Sequence, residues 1–294
     1  MLPPACWLGF IFLASIFPRH QALVLSNATN ASTSGVNASD TPTKGSPNTG
    51  GFKLSLVNLL GTSDLHAYVT GQDIDGKLLI LDAAGSDWVT PPPNGENITG
   101  IDIILNGDQT PLEIALPSVI YSARVWLAQG YLNFSRTAHA DNQLGLVQPS
   151  VNPQDSSIDT TWGFVEFSSN ASDASAGMTA DLSYVDFVGL PLGIALNDSD
   201  ASRTQTRLGL KRTAVADICH DLRTKPPPDG QPWHHLCVRD GDGRPSRVLA
   251  PTHYMAQNTS AFADYFRPLN DRIWTRYHAG PLTIDTQSPT ANAS

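Results

Sequence analysis

The sequence predicts a mainly β protein, in which antiparallel sheets form a sandwich or barrel and a smaller helix-containing part follows. From residue 51 to about residue 198, short runs alternate apolar and polar residues and are separated by Gly, Pro, Asn or Asp. The 294 residues include 23 Gly and 22 Pro and are only 15 % charged, a composition typical of loop-rich β proteins. No long helical pattern separates the runs, which favours antiparallel sheets.

The first 50 residues lack this pattern. The stretch CWLGFIFLASIF (6–17) resembles the apolar part of a signal peptide and is shorter than the ~20 apolar residues that span a membrane. We therefore expect a signal peptide over residues 1–24 and a secreted protein, extracellular or in a cell wall. Residues 25–50 are rich in Ser, Thr and Asn, which predicts a disordered linker.

Glycosylation signals agree with a secreted protein, and the net charge limits the partners it can bind. The N-x-[ST] sequons begin at Asn27, Asn30, Asn37, Asn97, Asn133, Asn170, Asn197, Asn258 and Asn292. The formal net charge of −9, with no basic block, would repel nucleic acids and anionic membranes. We therefore expect neither as a partner.

Two parts of unequal size follow the linker. Residues 51–212 contain nine strand-like runs: FKLSLVNLL, LHAYVTGQ, KLLILDAA, IDIILNG, PLEIALP, SARVWLAQG, WGFVEF, SYVDFV and LGIAL. Residues 213–294 form a smaller, α-containing part, in which TAVADICHDLR (213–223) predicts a helix. A second helical pattern covers residues 260–278, and we expect Pro268 to kink or split it.

Two of the three cysteines remain after removal of a signal peptide. Cys219 and Cys237 are 18 residues apart, and in an oxidising compartment such a pair favours a local disulfide worth about 3 kcal/mol in the loop-entropy model. A metal site is the alternative, since three histidines lie beside these cysteines. The spacing matches no common zinc pattern, so the disulfide is the prediction and no metal is expected.

Two carboxylates lie in aromatic-flanked runs. Alternation places Glu166 of WGFVEF on one strand face with Trp162 and Phe164, and it places Asp186 of SYVDFV on one face with Tyr184. If the two runs pair and their faces coincide, the carboxylates are about 5 Å apart when directly opposite and ~7 to 8 Å apart when diagonal. The diagonal spacing suits an inverting glycosidase and the direct spacing a retaining one.

Other interpretations of these acids stay open at this point. Glu166 alone is typical of the solvated face of an antiparallel strand. Asp186 stands among apolar residues, which fits a functional carboxylate and a buried, hydrogen-bonded one equally well. Asp82, in LILDAAGSDW, also fits the end of a strand that enters a turn.

Several longer segments resemble fungal members of glycoside hydrolase family 64, the laminaripentaose-producing β-1,3-glucanases, which are related in fold to thaumatin-like proteins. The resemblance covers roughly residues 53–286, and its most specific pieces are LVQPSVNP, WGFVEF and SYVDFVG. It is carried by YVTGQDIDGKLLIL (68–81), ALPSVIYSARVWLAQG (115–130), LVQPSVNPQD (146–155), WGFVEFS (162–168), LSYVDFVGLPLGIAL (182–196) and YFRPLNDRIWTRY (265–277).

The resemblance implies a thaumatin-like β-barrel or sandwich domain, joined to a smaller, partial α/β domain by a groove that holds β-1,3-glucan. It assigns Glu166 as the general acid and Asp186 as the general base of an inverting endo-hydrolase that releases short laminari-oligosaccharides. It also implies sugar contacts at Ser168, Asn170 and Ser183. We expect a monomer. No cofactor is expected, because two carboxylates and water suffice for this reaction.

The sequence departs from the family in two places. GMTA (177–180) stands where the family has a tryptophan before the base strand. The chain also stops at QSPTANAS, where the family continues with further strands, so we expect a C-terminally truncated member. These departures motivate an alternative, a thaumatin-like cell-wall protein that binds β-1,3-glucan without cutting it. Asn170 also begins a sequon, so either the sequon is unoccupied or Asn170 is not a sugar ligand.

Overall fold

A computed structural model describes residues 22–27, 52–92, 95–138, 144–169, 178–197 and 204–283. Two β-sheets pack face to face, and a smaller sheet with three helices adjoins them. None of the helices in these ranges is long and apolar enough to cross a membrane.

The first sheet has five strands in the order β14-β13-β1-β2-β6. Its strands are β1 (Ala22–Asn27), β2 (Phe52–Val57), β6 (Leu112–Ala115), β13 (Ile194–Asn197) and β14 (Thr204–Arg207). β1 is antiparallel to β2 and parallel to β13. The earliest strand of the chain therefore lies in the middle of this sheet.

The second sheet has six strands, with the order β11-β10-β7-β3-β4 and β5 paired to β3. Its strands are β3 (Leu65–Gln72), β4 (Leu78–Ile80), β5 (Ile103–Leu105), β7 (Tyr121–Gln129), β10 (Thr161–Ser169) and β11 (Met178–Leu182). Every pairing in it is antiparallel. A separate hairpin joins β8 (Ser135–Ala138) to β9 (Leu144–Val147).

The smaller unit is built on a three-stranded sheet in the order β12-β16-β15. Its elements are β12 (Phe187–Val188), α1 (Ala214–Thr224), a 3-10 turn (Trp233–Leu236), β15 (Cys237–Arg239), β16 (Pro245–Leu249), α2 (Pro251–Gln257) and α3 (Arg267–Tyr277). Pro268 lies in the first turn of α3, so it separates this helix from the turns before it, as predicted.

Alternation along the second sheet supplies two cores. Val69, Val125 and Val165 point towards the first sheet and pack with residues such as Leu54. Trp162 and its neighbours on the opposite face form an aromatic core, whose largest members are Tyr68, Trp126, Phe134, Trp162, Phe164 and Phe187. The second sheet is therefore buried on both faces along most of its length.

The sheets decide between the two arrangements that the sequence predicts. The strands in the described ranges form stacked open sheets and no closed barrel, so the sandwich is the correct one. β1 includes residues 24 and 25, and β12, which lies in the range 51–212, pairs with β16 of the smaller unit. The predicted domain boundaries stay predictions.

Candidate active site

Glu166 stands where the aromatic face of β10 reaches solvent. Trp162 and Phe164 precede it on the same face and are 2 % and 4 % exposed, whereas the Glu166 side chain is 36 % exposed. The strand thus carries the carboxylate from the aromatic core to the edge of a cleft. The WGFVEF strand and its alternation are as predicted.

Arg124 of β7 lies directly opposite Glu166 in the strand register. Its Nε donates to Oε1 of Glu166 at 2.9 Å, its Nη2 forms an ion pair with the same oxygen at 2.8 Å, and its Nη1 donates to Oε1 of Gln148 at 2.7 Å. The guanidinium also stacks 4.6 Å from the centre of the Phe164 ring. Both contacts with Glu166 end on Oε1, which leaves Oε2 without a contact to Arg124.

Asp181 of β11 lies on the other side of Glu166, again directly opposite. Partial burial, and to a lesser degree the charge of Glu166, raise the pKa of the Asp181 carboxyl. The sequence prediction missed this acid and Arg124. A signal for Asp181 exists in the alternation of MTADL, which places Thr179 and Asp181 on one strand face.

Glu166, Arg124 and Asp181 line one opening, which we call the carboxylate cleft and which has a volume of about 520 Å³. Hydroxyl and amide groups from four strands and adjoining loops surround the charged groups, a lining that suits the hydroxyls of a sugar. The polar lining residues are Thr70, Gln72, Ser122, Arg124, Gln148, Glu166, Ser168, Thr179 and Asp181.

Asp186 is not on a strand beside Glu166, which corrects the sequence prediction. It lies in a bend between β11 and β12, and its side chain is 51 % exposed rather than buried among apolar residues. The adjacent Val185 is 81 % exposed. The hairpin partner of Glu166 is Asp181, and the segment SYVDFV joins the second sheet to the smaller unit.

Asp186 is held by the start of α2. Nε2 of His253 donates to its Oδ1 at 3.0 Å, and the backbone N–H of Ala250 donates to its carbonyl at 2.8 Å. Asp186 and His253 line a narrow opening of about 100 Å³, which we call the middle pocket, together with Arg124 and the edges of Trp126, Trp162 and Phe164.

The middle pocket connects the carboxylate cleft to a third opening. It shares Arg124 with the carboxylate cleft, and it shares Ser150, Val151 and His253 with an outer cleft of about 640 Å³. Asn152, Gln154 and Gln257 also line this outer cleft. Because neighbouring openings share side chains, they adjoin in the order carboxylate cleft, middle pocket, outer cleft, and together we call them the groove.

The remaining predicted site residues have separate locations. Ser168 lines the carboxylate cleft, as the resemblance implied. Ser183 follows β11, is half-buried and lines none of the three openings. Asn170 lies outside the described residues, as does Gly177 of GMTA.

Cys219 and Cys237 are joined by a disulfide, with their Cα atoms 5.6 Å apart. Cys219 of α1 is buried in the core of the smaller unit, and Cys237 begins β15. Within the described ranges, no three His, Cys, Asp or Glu side chains are grouped so that they could hold a metal ion.

Comparisons with known proteins identify a family. The family model described as Beta-1,3-glucanase, glycoside hydrolase family 64, matches residues 50–294. No curated protein matches the sequence.

Three solved structures share the fold. The first, a laminaripentaose-producing beta-1,3-glucanase in complex with laminaritetraose, is 21 % identical with a TM-score of 0.60 over 74 % of this chain and 57 % of its own. A beta-1,3-glucanase domain from Clostridium beijerinckii is 17 % identical, with a TM-score of 0.54 over 74 % and 58 %. The laminaripentaose-producing enzyme from Paenibacillus barengoltzii, complexed with laminarihexaose, is 22 % identical, with a TM-score of 0.50 over 77 % and 51 %.

The chain therefore spans little more than half the length of these structures. At such identities the structures establish the likeness of fold, and the family model, which covers most of the chain, establishes the membership. This chain belongs to glycoside hydrolase family 64, the β-1,3-glucanases.

Proposed function

We propose that this protein is an endo-acting β-1,3-glucan hydrolase that inverts the anomeric configuration and releases short laminari-oligosaccharides. The observation that carries the proposal is that two carboxylates from different parts of the fold, Glu166 and Asp186, line neighbouring openings that share Arg124. Both residues lie within the region that matches the family. The three adjoining openings of the groove provide room for several sugar units of a linear glucan.

Glu166 acts as the general acid. Arg124 holds Oε1 through one hydrogen bond and an ion pair, so the proton is carried on Oε2 and passes to the glycosidic oxygen as the bond to the leaving sugar breaks. The aromatic core behind Glu166 fixes the backbone from which this side chain projects. The hydroxyl of Ser168 and the side chain of Gln148 line the same cleft and are placed to bond sugar hydroxyls.

Asp186 acts as the general base. His253 occupies its Oδ1, so Oδ2 takes a proton from a water molecule, which attacks the anomeric carbon from the side opposite the leaving group. The single displacement inverts the configuration at that carbon. No cofactor takes part in this reaction.

Substitution of each carboxylate tests the assignment. Glu166→Gln and Asp186→Asn should each reduce turnover of laminarin by at least about 100-fold, which is typical of the loss of a general acid or base. Glu113→Gln is the matched control, because Glu113 is an exposed carboxylate on β6 outside the three openings. Retained turnover in either site variant, with the fold intact, removes that residue from its role.

Proton NMR of fresh digests tests the stereochemistry. An inverting enzyme releases the α-anomer first, before mutarotation mixes the two forms, whereas initial release of the β-anomer would refute the single displacement. Chromatography of curdlan digests gives the length of the products. A folded protein that binds curdlan and yields no soluble product would support the glucan-binding alternative instead.

The N-terminal apolar stretch and the sequons support a further proposal, that the protein is secreted and glycosylated. Expression in a eukaryotic secretory host should release the protein into the medium with a mass that falls after treatment with an N-glycosidase. Retention inside the cell, or no change of mass, would refute it.

A further inference from the structure

We infer that His253 is a positioning residue for the base, in that its Nε2–H fixes the carboxylate of Asp186 so that Oδ2 faces the attacking water. The inference rests on the proposed function, because it concerns the orientation of the group that the proposal makes the base. Nε2 and Oδ1 are 3.0 Å apart. A carboxylate only accepts hydrogen bonds, so the imidazole nitrogen is the donor.

The local structure of Asp186 explains why it needs such a partner. Asp186 lies in a bend between two strands, outside either sheet, and its side chain is 51 % exposed. An exposed aspartate on a bend samples several rotamers, so neither neighbouring strand fixes the direction of its carboxylate. Glu166 is different, because it projects from the middle of a paired strand and is held by Arg124.

Helix α2 supplies the missing constraint at two points. The N–H of Ala250, the residue just before the helix, donates to the Asp186 carbonyl at 2.8 Å. Pro251 opens the helix, and the N–H of His253 donates to the carbonyl of Ala250 at 3.0 Å. The first turn of α2 therefore fixes both the backbone and the side chain of Asp186.

His253 also separates two openings of the groove. Its side chain is 36 % exposed and lines both the middle pocket and the outer cleft. His253 thus contacts the base and also lines the outer cleft, together with Gln154 and Gln257. A misplacement of a reacting group by about 1 Å costs up to about 100-fold in rate, so loss of this contact should reduce turnover rather than binding.

A pair of amide variants isolates the hydrogen bond. Glutamine places its side-chain nitrogen as many bonds from Cα as Nε2 of histidine, whereas asparagine is one bond shorter and does not reach Asp186. His253→Gln should keep kcat on a soluble laminari-oligosaccharide within about 3-fold of the unchanged protein. His253→Asn should lower kcat by about 10- to 100-fold, with KM changed by less than about 2-fold.

Thr252→Ala is the control, because Thr252 is an exposed neighbour on α2 that lines none of the three openings and should leave both constants unchanged. Equal turnover of the Gln and Asn variants, either both active or both impaired, would overturn the inference. A change confined to KM, with kcat unaffected, would also overturn the inference. Failure of the proposed function is a separate result: either the unchanged protein yields no product, or Asp186→Asn stays active whatever the His253 variants do.

Discussion

Removal of the Cys219–Cys237 disulfide should lower the stability of the protein by about 3 kcal/mol. The cysteines are 18 residues apart, and closing a loop of that length restricts the unfolded chain by roughly this amount in the loop-entropy model. Cys219 is 1 % exposed and packs beside Leu236 and Val248, so its replacement also loses apolar contacts. The estimate is therefore a lower bound for a variant without either sulfur.

Thermal unfolding of a Cys219→Ala/Cys237→Ala variant measures this effect. For a chain of this size, each kcal/mol of lost stability lowers Tm by roughly 2–4 °C, so Tm should fall by about 6–12 °C. The unchanged protein, unfolded in the presence of a phosphine reductant, should show a similar decrease. A shift below about 2 °C in both experiments would refute the reasoning, because the loop would then be constrained equally well without the bond.

The same variant also has a functional consequence. Cys237 pairs with Val248 of β16, and β16 pairs with β12, which directly follows Asp186. At 25 °C the double variant should retain kcat within about 2-fold, because the folded geometry is unchanged. Activity should disappear at a lower temperature, in step with the lower Tm. Loss of activity at 25 °C from a folded variant would contradict this.

Three further substitutions test other contacts. The pKa of Asp181 is raised above its ordinary value of 3.8, so the folded state binds this proton more tightly and stability falls as pH rises from that value towards the raised pKa. Asp181→Asn should therefore unfold at a higher temperature than the unchanged protein at pH 7 and at the same temperature at pH 3. An equal difference at both pH values would refute the assignment. Arg247 is 1 % exposed, and its Nη2 donates to the carbonyls of Ile158 and Thr160. Arg247→Met should therefore lower the free energy of unfolding in urea by about 2 kcal/mol, because it leaves those carbonyls unpaired. No loss of stability would show that water replaces these hydrogen bonds. Gly209 has φ +66 and a Cβ there would overlap the carbonyl oxygen of Leu192, so Gly209→Ala should lower stability by more than about 2 kcal/mol, and an unchanged urea midpoint would show that the turn relaxes.

The strands of the second sheet were predictable because their alternation has a direct physical cause. LHAYVTGQ is β3 residue for residue, and WGFVEF lies within β10. Both faces of this sheet are buried, so each side chain is selected for one of two cores. The same regularity placed Glu166 on the aromatic face and so identified half of the candidate site.

The second half of the site depends on contacts between distant parts of the chain. SYVDFV has the apolar content of a strand, yet Asp186 lies in a bend because its backbone carbonyl bonds Ala250 and its side chain bonds His253. Neither partner is detectable in a local pattern. The opposition of Asp181 to Glu166 depends on the pairing register of two strands, which alternation within each strand does not fix.

Helix amphipathicity was also an incomplete guide to burial. The apolar residues predicted at helical spacing over residues 260–278 divide into two groups. Phe262 is 3 % exposed and packs in the core of the smaller unit, whereas Leu269, Ile273 and Trp274 are 42 to 75 % exposed. The spacing of apolar residues predicts a shared helix face, but it does not supply the surface that covers this face.

The position of β1 has a consequence for biosynthesis. Ala22–Asn27 pairs with β2, which follows soon after, and also with β13, about 170 residues further along the chain. A ribosome must therefore release most of the polypeptide before the first strand has both neighbours, and contacts of such long range make folding slow. A cut beyond Asn27 would take away the middle strand and leave β14 and β13 unconnected to β2 and β6.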